Sequence, residues 1–481
     1  MVGWLGAGGW GLRLLLAVLL TVLLVACDST PSITIPTPKP TAPTAAAQTS
    51  PPATSPPSSS APAAPPPAAP QVVVPSPSPA ASPAAKPAGV LVPTQAPPAP
   101  VSQLVDPIKI ISSLPRTGAN QQQTDSIVNG IKMALDEVGS KIEGASVVYE
   151  DWDDASPSRG FWDAEKEAEN ANRAINDPEV MVYIGPYNSG AARISIPILN
   201  NADLVMISPS NTYAGLTKAG KGQPNEPAIF YPTGRRNYAR VVPADDIQGA
   251  VGAGWAKQLG AARVFVLHDT ELYGHAVALS FADTAARIGL EVVGGPEGID
   301  PRAQEYQGLA AKIRSANPDL VYFGGLTDNN AGRLFKEIRG VVGDNVKLMG
   351  PDGLYQQGFL DEAGEAANGA FITFGAVPPS KQAGKGAEWY RNYKVRFNLE
   401  PEVYAAYGYE ATKVALDAIR RADKKDRNAI REAVLATKDY DGILGRWSFD
   451  PNGDTTLTTI SGREVKDGKF DDANAVTLQA P

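Results

Sequence analysis

Residues 180–190 have the sequence VMVYIGPYNSG, and this stretch decides the fold. Five apolar residues open it and are typical of a buried strand, whereas the residues from Gly190 onward are typical of a helix. The same alternation occurs earlier, at residues 108–138 and 146–176, and again after residue 204. Repeated strand–helix units predict a parallel sheet covered by helices.

A second series of alternating segments begins near Ile247. Its predicted strands cover residues 264–267, 290–293, 320–323, 347–349 and 370–374, with predicted helices at 247–259, 275–288, 304–316, 331–338, 389–397 and 404–421. One hydrophobic core seldom organises so many residues. The predicted fold class is therefore α/β, with two lobes that are each built on a doubly wound parallel sheet.

The N-terminus has the pattern of an export signal. Arg13 precedes an apolar run at residues 14–25, which is shorter than the stretch of about 20 residues that a transmembrane helix needs. That length favours a cleaved signal peptide at residues 1–26 over an uncleaved span. Cys27 follows Leu-Val-Ala and is the only cysteine, so we expect it to be the lipidation site of an exported lipoprotein and not an idle thiol.

Residues 27–103 are rich in Pro, Ala, Ser and Thr and nearly free of charged and aromatic residues. Such a segment cannot bury enough apolar surface to offset the conformational entropy lost on ordering. We therefore expect a disordered, lipid-anchored tether that holds the folded residues at the outer face of the cell membrane.

Charge and motifs argue against nucleic-acid binding and against catalysis. The chain has a formal net charge of −8 and lacks a basic run that could neutralise phosphates. His268 and His275 lack metal-ligand spacing, and the sequence contains neither a nucleophile elbow nor a Walker A loop. We interpret Glu150, Asp151, Asp153 and Asp154 as a solvated loop or helix-start cluster, and residues 450–454 as a hairpin turn and not a calcium loop. We therefore expect no enzyme activity, no metal and no cofactor.

Polar turns follow two neighbouring strands of the first predicted sheet. Ser189 comes shortly after Ile184, and Ser210, Asn211 and Thr212 follow the next strand. Ser189 can cap the helix that it precedes or, together with free amides at the helix start, bind an anion. Because the carboxyl ends of parallel strands meet at one edge of a sheet, two such turns can converge on one carboxylate.

Two loops of the second predicted sheet carry complementary groups. Tyr273 follows the strand at 264–267, and Asp352 follows the strand at 347–349. Asp352 lies in a Pro-Asp-Gly sequence, which by itself is typical of an ordinary turn. A cleft with hydroxyls and amides on one lobe, and an acid with an aromatic ring on the other, suits a zwitterion.

These residues resemble the periplasmic-binding-protein type I fold and, within it, the branched-chain amino acid (Leu/Ile/Val) binding proteins of ABC transporters. The resemblance covers residues 107–454. Its most specific motifs occur in the family's order, namely YIGP with Ser189, ISPSNT at 207–212, RVVP at 240–243, HD and YG at 268–274, and MGPDG at 349–353.

The resemblance implies a role for each polar residue. Ser189 and Thr212 would offer hydroxyls, and residues 210–212 backbone amides, to the ligand carboxylate. Asp352 would pair with the ligand ammonium, and Tyr273 would close over the ligand from the second lobe.

Two positions depart from the family's pattern, because Gln123 and Leu326 stand where the family has tyrosines. We therefore expect a side-chain pocket that differs from a Leu/Ile/Val pocket. The resemblance also implies lobe bounds. The first lobe would comprise residues 104–244 and 376–451, and the second, across a hinge, residues 245–375 and 452–481.

The implied function is that of a monomeric extracytoplasmic solute-binding protein of an ABC importer. It would close on an amino acid or related zwitterion and deliver it to a permease with a separate ATPase. Two alternatives remain open: the same fold binding an amide, urea or aromatic acid, and a sensory receptor domain that passes closure to a partner.

Overall fold

The computed structural model describes residues 104–481. The predicted signal peptide at residues 1–26, the tether at 27–103 and the lipidation site Cys27 lie outside the described residues. Within residues 104–481, no helix is both long enough and apolar enough to cross a bilayer.

The described residues form eleven α-helices and sixteen strands. The helices are α1 (Gln121–Asp136), α2 (Ala164–Asn176), α3 (Ser189–Asn200), α4 (Asp245–Gln258), α5 (Leu272–Arg287), α6 (Gln307–Ala316), α7 (Ala331–Val342), α8 (Gln357–Ala363), α9 (Lys385–Phe397), α10 (Val403–Ala422) and α11 (Arg427–Leu435). The strands are β1 (Ile108–Leu114), β2 (Lys141–Ile142), β3 (Ala145–Asp153), β4 (Val180–Ile184), β5 (Val205–Ser208), β6 (Tyr238–Arg240), β7 (Arg263–His268), β8 (Glu291–Gly298), β9 (Leu320–Gly324), β10 (Lys347–Gly350), β11 (Ala370–Phe374), β12 (Tyr440–Gly442), β13 (Gly445–Trp447), β14 (Ile460–Lys466), β15 (Lys469–Phe470) and β16 (Val476–Leu478).

The first lobe is built on a six-stranded sheet with the order β2-β3-β1-β4-β5-β6. Its strands run parallel except for the β2–β3 pair, which is antiparallel. All five residues of β4 are buried, because helices cover both faces of a parallel sheet. That burial explains why β4 is a continuous apolar run in the sequence.

Helix α10 belongs to the first lobe, although it follows the second lobe in sequence. It crosses α1 at close range, and glycines make that approach possible. A Cβ on Gly130 would lie 2.2 Å from the Ala405 carbonyl oxygen, and a Cβ on Gly408 would lie 2.7 Å from the Ile127 carbonyl oxygen. Glycine at these two positions therefore lets α1 and α10 pack closely against each other.

The second lobe is built on a sheet with the order β15-β14-β11-β10-β9-β7-β8, and β16 also pairs with β14. Strands β7 to β11 are parallel, whereas β14 is antiparallel to β11. The C-terminal segment thus returns to the second lobe and extends its sheet. The predicted α/β class with two parallel-sheet lobes is correct in outline, with a mixed edge in this lobe.

The chain passes between the lobes three times. The crossings lie between β6 and α4, between β11 and α9, and between β13 and β14. Each crossing runs between the ends of secondary-structure elements, where a hinge between two lobes can bend. The residue bounds given above for each lobe stay a prediction.

The structure corrects one interpretation of the acidic residues at 150–154. Glu150 lies in β3 and pairs with Lys109 at 2.8 Å, and Asp151 pairs with Arg116 at 2.9 Å. Asp154 is fully buried. Because Glu150, Asp151 and Asp153 belong to β3, a loop or helix start is the wrong interpretation. Asp151 is exposed, as a solvated cluster requires, whereas Asp154 lies inside the lobe.

The residues at 450–454 form the predicted turn, but Asp454 does more than close it. Asp450 Oδ1 accepts hydrogen bonds from the Asn452 and Asp454 amides, and Phe449 bridges Thr455. The Asp454 carboxylate pairs with buried Arg240 at 2.7 Å. This ion pair ties the third crossing to β6.

Candidate ligand-binding site

A small cavity lies where the two lobes meet. The first lobe contributes Tyr187, Asn188, Ser189, Ser210, Thr212 and Tyr404, and the second contributes Tyr273, Leu326, Asp352 and Gly353. Its volume of about 20 Å³ is close to the space that one water molecule needs. A larger solute therefore requires these side chains or the two lobes to separate.

Ser189 does not cap its own helix. It is the first residue of α3, and the N-cap position is held by Asn188, whose side chain makes no capping hydrogen bond. The Ser189 hydroxyl instead accepts hydrogen bonds from the Thr212 and Tyr213 amides, both at 3.3 Å. Ser189 thus connects the two polar turns, as the convergence of parallel strands predicts.

The second turn is held by two further side chains. The Ser208 hydroxyl accepts hydrogen bonds from the Ser210 amide at 3.2 Å and the Asn211 amide at 2.9 Å. The Asn211 carboxamide donates to the Pro186 and Tyr187 carbonyl oxygens, both at 2.9 Å. Of the residues predicted here, Ser210 and Thr212 line the cavity, whereas the Asn211 side chain joins the turns behind it.

Asp352 is the acidic group of the cavity and is only 4 % exposed. It is the first residue of a short 3₁₀ turn, Asp352–Leu354, which aims its carboxylate into the site. Oδ1 accepts hydrogen bonds from the Tyr273 hydroxyl and the Gln248 amide, both at 2.7 Å. Oδ2 accepts one from the Tyr404 hydroxyl. Three neutral donors thus hold a buried carboxylate.

Burial raises the pKa of Asp352, and the hydrogen bonds from Tyr404, Tyr273 and Gln248 oppose that rise. The pKa of Asp245, at the start of α4, is also raised well above its ordinary value, first by burial and then by the charge of Asp352. Among the residues that line the cavity there is no lysine or arginine. The field inside the site therefore favours a positively charged group.

Tyr187 and Tyr404 are site residues that sequence reasoning did not identify. Their rings meet edge to face with centroids 5.8 Å apart, and Tyr404 also lies 4.8 Å from the Phe374 ring. Tyr187 lies two residues before Ser189 in the sequence YIGPYNS, and this position beside a predicted site residue is a usable signal. Tyr404 lies at the start of α10, remote in sequence from every polar turn, and only the α1–α10 packing brings it to the cavity.

The two positions that depart from the family's pattern have different locations. Leu326 lines the cavity and packs with Tyr273 and Val277. Gln123 is buried on α1 and does not line the cavity itself. Its side-chain oxygen accepts a hydrogen bond from the hydroxyl of Tyr187, which does line the cavity. Its amide donates to the Tyr355 carbonyl oxygen at 3.0 Å.

Residues 104–481 contain no group of three His, Cys, Asp or Glu side chains that could hold a metal ion. The His268 and His275 rings lie 4.5 Å apart. Burial, and then the charge of His275, lowers the pKa of His268 to about 4. His268 is therefore a neutral side chain at physiological pH, with Nδ1 accepting from the Thr270 amide.

The sequence profile of the family described as periplasmic binding protein matches residues 107–469. The chain belongs to this family. One relative is the Leu/Ile/Val-binding protein BraC3 of Rhizobium johnstonii, which is 28% identical over 362 residues, 74% of this chain and 91% of the relative. The predicted family and fold are thereby confirmed, as is the predicted general function of a solute-binding protein related to those of amino-acid ABC importers.

Solved structures share the fold. The leucine-binding protein LivK from Thermotoga maritima superposes with a TM-score of 0.67 and 26% sequence identity, covering 78% of this chain and 99% of LivK. A second structure is a solute-binding protein of an ABC transporter from R. palustris, solved in complex with benzoate. It has a TM-score of 0.63 and 20% sequence identity, and the match covers 78% of this chain and 96% of the R. palustris chain. The second likeness concerns the fold alone.

Proposed function

We propose that this chain captures an amino acid or a related small zwitterion between its lobes and delivers it to an ABC permease that has a separate ATPase. The observation that carries the proposal is the environment of Asp352. A buried carboxylate that is held only by neutral donors is costly, and a bound ammonium would compensate it. Tyr273 and Tyr404, which donate to Asp352, would orient it toward that ammonium.

The opposite wall supports the carboxylate end of the ligand. Ser189 and Thr212 bring hydroxyls to the cavity beside the first turn of α3. The amino-terminal end of a helix carries a partial positive charge and free amides, so it favours an anionic group. A zwitterion with its ammonium at Asp352 and its carboxylate at Ser189 would therefore match the polarity of both lobes.

The small volume of the cavity supports a mechanism of opening and closing. A ligand would enter when the lobes separate about the three crossing segments, and closure would bury it. The closed form would then bind the permease. We further propose that the chain is a monomer, that it performs no chemistry, and that lipid on Cys27 anchors it outside the cell membrane.

A second candidate ligand is an aromatic acid. The rings of Tyr187, Tyr404 and Tyr273 in the cavity favour it, as does the fold shared with a protein solved with benzoate. An aromatic acid lacks an ammonium, so it would gain nothing from Asp352. The two ligand classes can therefore be separated by experiment.

A melting-temperature screen of the full-length chain against amino acids, amides and aromatic acids tests the proposal, because a solute that binds only the folded state raises the melting temperature. We expect the largest increase with an amino acid. Increases with aromatic acids alone would replace the proposed ligand with the second candidate. No increase with any amino acid would overturn the proposal.

A further inference from the structure

A set of buried polar side chains crosses from one lobe to the other beside the cavity. The first lobe contributes Asn120 and Gln123, and the second contributes Asp328, Gln356 and the carbonyl group of Tyr355. We call this set the interlobe clasp. Its side chains do not line the cavity.

Asn120 is the central residue of the interlobe clasp and is fully buried. Its amide donates to Asp328 Oδ2 at 3.0 Å, and its oxygen accepts from the Gln356 amide at 2.7 Å. Both ends of one carboxamide are therefore used by the other lobe. These bonds exist only when the lobes are together.

The Asn120 side chain does not play the role that asparagine usually has at the start of a helix. It is the N-cap residue of α1, where an asparagine side chain ordinarily accepts a hydrogen bond from its own helix. Here the side chain makes no capping hydrogen bond. The Asn120 side chain therefore forms its hydrogen bonds with the other lobe and not with its own helix.

The charge of Asp328 is consistent with this arrangement. Burial raises its pKa to about 6, and the hydrogen bond from Asn120 opposes that rise. Its other oxygen, Oδ1, is buried and accepts no hydrogen bond from another residue. Asn120 is therefore the side chain that compensates the Asp328 carboxylate when the lobes are closed.

Gln123 connects the interlobe clasp to the ligand cavity. Its amide crosses to the Tyr355 carbonyl oxygen, while its oxygen accepts from the hydroxyl of Tyr187, whose ring lines the cavity wall. A displacement of Tyr187 on ligand binding would therefore be transmitted to the interlobe clasp through the Gln123 side chain.

We propose that the interlobe clasp stabilises the closed form, and that Asn120 is a positioning residue that sets the ratio of closed to open molecules without touching the ligand. The inference rests on the opening and closing motion of the proposed function, but not on the identity of the ligand. Each hydrogen bond of this kind changes an equilibrium by about 2- to 10-fold. The two bonds of Asn120 together predict an effect of about 10-fold.

The test measures the distance between the lobes with no amino acid added. Spin labels are placed on the full chain carrying Cys27→Ser, through Glu165→Cys on α2 of the first lobe and Ala311→Cys on α6 of the second, both exposed positions. Removing the only native cysteine confines the labels to these two sites. The measured quantity is the ratio of short to long distances.

We expect Asn120→Ala to lower the ratio of closed to open molecules about 10-fold. Gln122→Ala is the matched control, because Gln122 is on the same helical turn but its amide bonds to Glu402 of the same lobe. The control should leave the distances unchanged. Identical distances in Asn120→Ala and Gln122→Ala would overturn the proposal, as would a parent chain that is entirely open.

Variants on the second lobe keep the test decisive if Asn120→Ala does not fold. Asp328→Ala and Gln356→Ala should each open the lobes. Asn120→Ala should add to Asp328→Ala only the effect of losing the Asn120–Gln356 bond, because the two variants share the Asn120–Asp328 bond. If the effects of Asn120→Ala and Asp328→Ala on the ratio of closed to open molecules multiply in full in the double variant, the proposal is contradicted. Because no amino acid is used, a failed ligand screen leaves this result unaffected, and the converse also holds.

Discussion

The Tyr404 hydroxyl donates a hydrogen bond to Asp352 Oδ2 from the opposite lobe. Tyr404 begins the long helix that packs on the first sheet, and Asp352 begins the turn after β10 of the second. The acidic group of the site is therefore held partly by the lobe to which it does not belong. Closure itself completes the environment of Asp352.

Tyr404→Phe tests this relationship, because it removes the hydroxyl and keeps the ring. We expect the affinity for the amino acid found in the screen to fall by about 10-fold, the usual effect of losing one hydrogen bond to a charged group. Calorimetric titration measures it. Tyr409→Phe is the control on the same helix, since its hydroxyl donates to Glu137 away from the cavity. Equal affinities in the two variants would contradict the assigned role of Tyr404.

The pH dependence of binding tests the charge of Asp352. Its pKa is raised by burial, and only the charged form attracts an ammonium. Acidification should therefore weaken binding, and the loss should begin at a higher pH than for an ordinary aspartate. Titrations in buffers of different ionisation enthalpy should show proton release on binding near that pH. An affinity that rises on acidification would be incompatible with ammonium binding at Asp352.

The pH dependence of stability tests a buried acid of the first lobe. Burial raises the pKa of Glu167 to about 7, although Ser113 and Tyr183 donate hydrogen bonds to it. A raised pKa in the folded state means that stability is present below the ordinary value and is lost as the pH rises through 7. One such group changes the free energy of unfolding by at most about 1.4 kcal/mol per pH unit.

Glu167→Gln should accordingly reduce the fall in melting temperature between pH 5 and pH 8, a window that brackets the pKa of about 7. Glu165→Gln, an exposed change on the same helix, should retain the fall of the parent chain. If the two variants have the same pH profile, the Glu167 carboxyl is not the group that titrates.

Helix packing offers a test that does not involve the ligand. Gly130→Ala would place a methyl group 2.2 Å from the Ala405 carbonyl oxygen and force α1 and α10 apart. We expect a loss of about 1 to 3 kcal/mol in the free energy of unfolding, typical of overpacking. Gly340→Ala on α7 has open space around the added carbon and should be neutral or stabilising. Denaturant unfolding of both variants compares them; equal stabilities would contradict the close approach.

The strands and the polar turns could be predicted from the sequence because their signals are local. Strands β4 and β11 were predicted at their observed bounds, since β4 is a continuous apolar run and β11 is apolar except for Thr373. Helix α5 begins at Leu272, three residues before the predicted start, because Tyr273 was assigned to the loop. Local signals therefore placed Ser189, Thr212, Tyr273 and Asp352 after the strands that they follow in the structure, whereas their ligand roles came from the family resemblance and stay a prediction.

What the sequence did not reveal depends on contacts between distant segments. Helix α11 and strands β12 to β16 were not predicted. Strands β12, β13, β15 and β16 have only two or three residues each, too few to show a periodic pattern. Tyr404 reaches the cavity only through the crossing of α1 and α10. The sequence assigned no role to the Asn211 side chain, and only the folded structure brings it to the Pro186 and Tyr187 carbonyl oxygens behind the cavity.

The most direct test of the proposed function is calorimetric titration of Asp352→Asn with the amino acid that stabilises the parent chain most. Asp361→Asn, an exposed change in the same lobe, serves as the control. We predict that Asp352→Asn lowers the affinity by about 10- to 100-fold, the effect of removing a charged hydrogen-bond partner, and that the control binds as the parent does. An unchanged affinity in Asp352→Asn would contradict ammonium recognition by this carboxylate.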